Sequence, residues 1–207
     1  MLNQIGNYSL YIALLSSILI IIQSPILLNQ NNINVSGRIF SLISIQSLMI
    51  IISFIALIIA FIISDFSNET VYTSHTSKPL FYKISGTWGN HEGSLLLWLL
   101  VLSIFLLIFT ITSKNLSNKY RILTLFFQEI IIAGFLLFIL FTSNPFMSLF
   151  PIPNEGTGLN PILQDPALAI HPPILYLGYV GTSIIFSSSL SALISGSVNK
   201  TWAKHIK

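Results

Sequence analysis

A turn meets a long apolar run in the stretch GTWGNHEGSLLLW, Gly86–Trp98. Glycine and asparagine favour the turn, and no charged residue follows Glu92 until Lys114. Tryptophan favours the headgroup level of a bilayer, whereas charged residues avoid its hydrocarbon. The stretch therefore predicts a helix that enters a membrane, with His91 and Glu92 at its mouth.

The composition extends that interpretation to all 207 residues, of which 53% are hydrophobic and 7% charged. Soluble domains carry roughly 25% charged residues. A bilayer-spanning helix takes about 20 residues, and suitable stretches lie near 6–28, 39–64, 93–113, 122–143 and 172–195. Backbone polar groups cannot stay unpaired in lipid, so each stretch is expected to be helical. The expected fold is an all-α integral membrane protein, 1–207, with about five transmembrane helices.

Several function classes are excluded by what the sequence lacks. Without cysteine the chain cannot exchange thiols and disulfides, and it has no Walker or GxGxxG motif for nucleotides. Its net charge of +3 comes from short loops and reports membrane topology. The uncharged start, Met1–Gly6, predicts neither a cleaved signal nor a transit peptide. Frequent Ile, Asn and Lys are typical of an AT-rich organellar gene, which predicts the mitochondrial inner membrane, or otherwise a bacterial inner membrane.

The positive residues predict an orientation. One side of the membrane is expected to hold Arg38, Lys114, Lys119, Arg121, Lys200, Lys204 and Lys207, and the other only Lys78 and Lys83. The positive-inside bias then puts the N-terminus outside and the C-terminus inside. The long loops 65–92 and 144–171 share the outer face, where turn-forming residues predict a structured cap.

His171 is the leading candidate for chemistry. It precedes Pro172 and Pro173, and a residue before proline is biased towards extended geometry, so the imidazole is expected at the outer mouth of the fifth span, outside the helix. A neutral imidazole there can bind haem iron axially. The alternative is an interfacial histidine that caps a helix or pairs with Asp165.

His91, Trp88 and Trp98 are candidates for lining a site. Asn90 is expected to cap the third span, and Glu92 suits its first turn. Trp98 lies seven positions after His91, so the two share a helix face that can line a haem or polypeptide groove. Trp88 is expected to anchor the chain at the membrane surface rather than to stack on a ligand.

The remaining ionisable groups carry weaker predictions. Lys78 and Lys83 can pair with haem propionates, although solvated loop lysines are the commoner case. His75 is expected in solvent, and His205 has no assigned role. Glu129 lies within a span, which makes it a candidate for a proton or quinone path. Alternatively, it pairs with Gln128 or reaches towards Arg121.

Three sequence blocks resemble CcmF-type cytochrome c haem lyases: TWGNHEGSLLLW at 87–98, LLFILFTSNPF at 136–146 and LNPILQDPALAIHPPILYLGYVG at 159–181. The resemblance covers essentially the whole chain. It implies that His171, in the intact HPP motif, is an axial ligand of the haem being attached. It also implies that a haem chaperone delivers haem to the outer face, where CxxCH thiols of apocytochrome c add to its vinyl groups.

The same resemblance implies that this chain is the N-terminal part of a split lyase, inactive alone. Full-length members continue into a tryptophan-rich outer segment, a partner histidine opposite His171 and two histidines for a b-type haem. Those parts would come from separate polypeptides. Two rivals stay open: a structural or proton-path subunit of a respiratory complex, and a relic that keeps the lyase fold without haem chemistry.

Overall fold

A computed structural model describes residues 1–29, 36–74 and 79–206. Their helices are α1 Leu2–Leu28, α2 Ser36–Ile63, α3 Glu69–Ser74, α4 Leu80–Gly86, α5 His91–Thr112, α6 Asn118–Thr142, α7 Pro166–Ser195 and α8 Lys200–Ile206. Five of them, α1, α2, α5, α6 and α7, are long and apolar enough to cross a membrane. The predicted all-α membrane fold is confirmed. The last long helix begins at Pro166, ahead of the predicted start near residue 172.

The long helices form one bundle. Helix α1 packs on α2 and α6, and α5 lies against α2, α6 and α7. Successive long helices run in opposite directions, so one end of the bundle gathers the starts of α1, α5 and α7 with the ends of α2 and α6. We call this the loop end, because the segments 64–74, 79–90 and 143–165 lie there. The assignment of the loop end to the outer side stays a prediction.

The two loop segments are bonded to each other, which confirms that they are structured. The amide of Glu69 donates to the Met147 carbonyl, and that of Leu149 donates to the Ser67 carbonyl, each at 2.9 Å. Fully buried Asn68 donates from its side chain to the Asn3 side chain and to the Pro145 carbonyl. The first loop also contains α3 and α4, which the sequence did not predict. The loop end is therefore a built surface that can position side chains.

Serines on α7 pack against helices of the same chain. Ser187 donates to the side-chain amide oxygen of Gln128 at 2.9 Å, and Ser188 pairs with the Tyr120 hydroxyl. At Gly181 an added Cβ would lie 2.8 Å from the Phe105 ring, so the absence of a side chain permits this close approach. These small residues of α7 therefore pack against α5 and α6 of the same chain.

Candidate functional site

His171 lies at the loop end, in the second turn of α7, with an exposed side chain. The prediction that it stands outside the helix is wrong. The helix begins earlier because the Asp165 carboxylate accepts from the Ala167 and Leu168 amides, at 2.8 and 3.1 Å, and Pro166 suits the first helical position. The bias of a pre-proline residue is overridden by this cap. Asp165 thus serves as the N-cap of α7.

Trp88 joins the first sequence block to the last. Its indole N–H donates to the backbone carbonyl of Ala169 at 2.8 Å, and its side chain is half-buried. Ala169 precedes His171 by two residues, so the bond reaches the turn of α7 that carries the candidate ligand. Sequence reasoning missed this partner, and the anchoring of Trp88 at the membrane surface stays a prediction.

His91 opens α5, as predicted, and its ring is exposed. Asn90 caps this helix: its side-chain oxygen accepts from the Gly93 amide at 2.7 Å. The His91 Nε2 atom lies 3.0 Å from the Ser143 hydroxyl, just past the end of α6. Ser143 lies in the second of the three sequence blocks that resemble the lyases. Its place there is the sequence feature that could have pointed to this contact. The hydrogen bond orients the imidazole towards α6.

Trp98 is inserted between α6 and α7. Its ring centroid lies 5.4 Å from that of Phe135 on α6, and 5.5 and 6.2 Å from those of Tyr176 and Tyr179 on α7. Its buried indole nitrogen has no hydrogen-bond partner within the described ranges. His91 also lies against α6, its ring centroid 6.5 Å from that of Phe138, so both residues face this helix. That this face lines a haem or polypeptide groove stays a prediction. Trp98 packs with aromatic rings that join the helices around the candidate site.

Glu129 is fully buried on α6 and bonds to two other spans. Its Oε2 atom accepts from the Ser17 hydroxyl at 2.7 Å and from the Gln46 amide at 3.0 Å. The predicted alternatives are wrong: Gln128 bonds to α7, and Arg121 donates to Ser113 at 3.2 Å. Glu129 therefore ties α1, α2 and α6 together at a position away from His171.

The candidate propionate partners divide into two cases. Lys83 donates from Nζ to the Ile62 carbonyl at 3.2 Å and to the Ser64 hydroxyl at 2.9 Å. Lys83 is half-buried, and its cation at the end of α2 complements the helix dipole. Its role is therefore structural, and it is not a freely solvated loop lysine. Lys78 and His75 lie outside the described residues.

The surroundings of His171 are exposed and apolar. Neighbouring positions on α7 present exposed apolar side chains, namely Leu168, Ile170, Ile174 and Leu175. Within the described ranges no three metal-binding side chains converge. An exposed imidazole with apolar neighbours is compatible with one axial ligand to a haem group, and haem binding at this turn stays a prediction.

The family is decided by the second half of the chain. A model described as cytochrome C assembly protein matches residues 88–207. The chain belongs to this family. The match begins at Trp88 and includes His91, Trp98 and His171, so the candidate site lies within the family's own sequence.

Full-length relatives agree. The chain is 42% identical over 208 residues to the cytochrome c-type biogenesis protein CycK of Rhizobium meliloti, covering 100% of this chain and 31% of that protein. It is 38% identical to CcmF of Escherichia coli, covering 99% of this chain and 32% of that protein. A solved cytochrome c haem lyase CcmF has the same fold, with a TM-score of 0.83 and 24% identity over 100% of this chain and 32% of that one. The chain thus spans about a third of the length of these relatives.

Proposed function

We propose that this chain is the N-terminal part of a cytochrome c haem lyase and presents haem at the outer membrane face. Its relatives are cytochrome c-type biogenesis proteins, which supports a role in cytochrome c biogenesis. The observation that carries the proposal is the exposed His171 on a turn of α7 that Trp88 and Asp165 hold in place. An exposed imidazole on a rigid turn is suited to ligand binding, because its geometry is set before the ligand arrives.

In this proposal haem is a substrate that the chain binds and orients. His171 supplies one axial ligand, and the apolar side chains around it border the macrocycle. His91 and Trp88 line the loop end beside it, while Trp98 packs behind them. The thiols of the apocytochrome CxxCH motif then add across the haem vinyl groups, forming carbon–sulfur bonds and placing each thiol hydrogen on the adjacent carbon. The chain contributes by holding the reactants in place.

The remaining components stay predictions of the same proposal. Further lyase polypeptides are expected to supply the second axial histidine and the tryptophan-rich segment that the resemblance implies. A haem chaperone and apocytochrome c are the other expected partners. The mitochondrial inner membrane is predicted from residue composition, whereas the relatives compared above are bacterial.

A mild-detergent pull-down of the full chain tests the function. We expect a haem optical spectrum that is lost or altered by His171→Ala and retained by His205→Ala, which changes a histidine in α8 at the opposite end of the bundle. Mass spectrometry should find polypeptides with the tryptophan-rich segment. A haem-free complex that contains respiratory subunits alone would instead favour the structural or proton-path alternative.

A further inference from the structure

Two consecutive prolines interrupt the hydrogen-bond ladder of α7 next to His171. In an α-helix, each N–H donates to the carbonyl four residues earlier. Pro172 and Pro173 lie inside α7 and have no N–H. The carbonyls of Leu168 and Ala169 therefore receive no helical donor.

The residues that carry these two carbonyls differ in exposure. Leu168 is 42% exposed, whereas Ala169 is 4% exposed. A buried carbonyl needs a partner from within the protein, because water cannot supply one. The Trp88 indole N–H, 2.8 Å from the Ala169 oxygen, is that partner. Trp88 thus replaces, from 81 positions away in the chain, the donor that Pro173 lacks.

Trp88 is itself held firmly. Its carbonyl accepts from the Ser94 hydroxyl at 2.7 Å, and its amide donates to the Ser85 carbonyl at 3.2 Å. These bonds attach it to the start of α5 and the end of α4. The Ala169 carbonyl is therefore tied to a fixed point at the loop end. The turn that carries His171 has two restraints, the Asp165 cap at its start and this bond.

We propose that Trp88 is a positioning residue for His171, acting through the Ala169 carbonyl. The bond completes the helix at the proline pair and holds the His171 turn in one orientation against the start of α5. The inference rests on the proposed function, in which His171 binds haem iron. It gives Trp88, in the first sequence block, a defined role in positioning His171, in the third.

The test uses the full chain in lipid nanodiscs and the variants Trp88→Phe, Trp88→Phe/Pro173→Ala and Trp88→Phe/Pro172→Ala. Alanine at 173 restores an N–H for the carbonyl of buried Ala169, whereas alanine at 172 restores one for the carbonyl of Leu168, an exposed residue. Two quantities are measured: the haem dissociation constant by optical titration, and the His171 imidazole resonance in protein labelled with 15N-histidine.

We expect Trp88→Phe to weaken haem binding about fivefold, the equivalent of one neutral hydrogen bond, and to move the His171 resonance. Pro173→Ala should restore both values, and Pro172→Ala should restore neither. Trp202→Phe is the matched control: it removes the indole bond to Ser188, 3.2 Å long, near the far end of α7, and should leave both values unchanged.

Each other outcome overturns the proposal. If Trp88→Phe lowers thermal stability but changes neither haem affinity nor the His171 resonance, Trp88 is merely structural. If both proline variants restore haem affinity and the His171 resonance equally, the recovery is due to the removal of a proline and not to the pairing of the Ala169 carbonyl. If Trp88→Phe does not fold, Pro173→Ala must restore folding where Pro172→Ala does not. His171→Ala tests the proposed function separately, through haem affinity alone. The positioning role is tested by the His171 resonance in Trp88→Phe, which can be measured without haem.

Discussion

Replacing Glu129 by alanine should destabilise the bundle, because this side chain joins three spans. The substitution removes the acceptor of the Ser17 hydroxyl, at 2.7 Å, and of the Gln46 amide, at 3.0 Å. Ser17 keeps a contact of 3.3 Å with the backbone carbonyl of residue 129, whereas the fully buried Gln46 loses its acceptor there. The loss therefore falls mainly on the link between α2 and α6.

The magnitude follows from these contacts. Interhelical hydrogen bonds in membrane proteins contribute about 0.6 kcal/mol on average and up to about 1.7 kcal/mol, so the two bonds come to about 1–3 kcal/mol. The cavity left by the truncated side chain adds about 1–2 kcal/mol. The total is about 2–5 kcal/mol, and at about 2–4 °C per kcal/mol for a chain of this size Glu129→Ala should lower the Tm by roughly 4–20 °C.

The assay is thermal unfolding of the purified chain in detergent, followed by tryptophan fluorescence. Glu129→Gln is the matched variant, since its amide oxygen can still accept from Gln46, and it should cost less than about 1 kcal/mol. Ser17→Ala should likewise have a small effect, because Gln46 keeps its acceptor. The reasoning is refuted if Glu129→Ala is as stable as the wild type, or if Glu129→Gln is as unstable as Glu129→Ala.

Three further predictions concern the loop end and the helices that reach it. Gly93→Ala should cost about 3 kcal/mol in thermal unfolding, because its Cβ would overlap the backbone carbonyl of Thr87; Gly134→Ala meets no atom within 4 Å and should be neutral or stabilising. Asn90→Ala should lower stability by about 1 kcal/mol through loss of the α5 cap, whereas Asn90→Ser should retain most of it; unchanged stability in the alanine variant would contradict the cap. Asn68→Ala should increase hydrogen exchange in both loop segments, because its side chain bonds to both; exchange raised in one segment alone would argue against that role.

The local features of the candidate site were accessible from sequence. The cap at Asn90 and the start of α5 at His91 follow from residues within one turn of each other, and both were predicted. The start of α7 is predicted near residue 172 from the bias before proline, whereas the helix begins at Pro166 because Asp165 caps it. A capping side chain with two amides to accept from outweighs a conformational bias at one residue.

The sequence by itself determined the membrane class, the number of spans and the residues that could carry chemistry. Hydrophobic length and local capping are properties of neighbouring residues, so they can be read without a fold. Only the tertiary structure decided which distant groups pair: Trp88 with Ala169, 81 positions apart, and Ser17 with Glu129, 112 positions apart. Such pairs depend on how helices rotate and slide against one another, and packing across the whole bundle sets that geometry. The proline pair leaves the Ala169 carbonyl of α7 without a helical donor, and the tertiary structure brings the Trp88 indole to it.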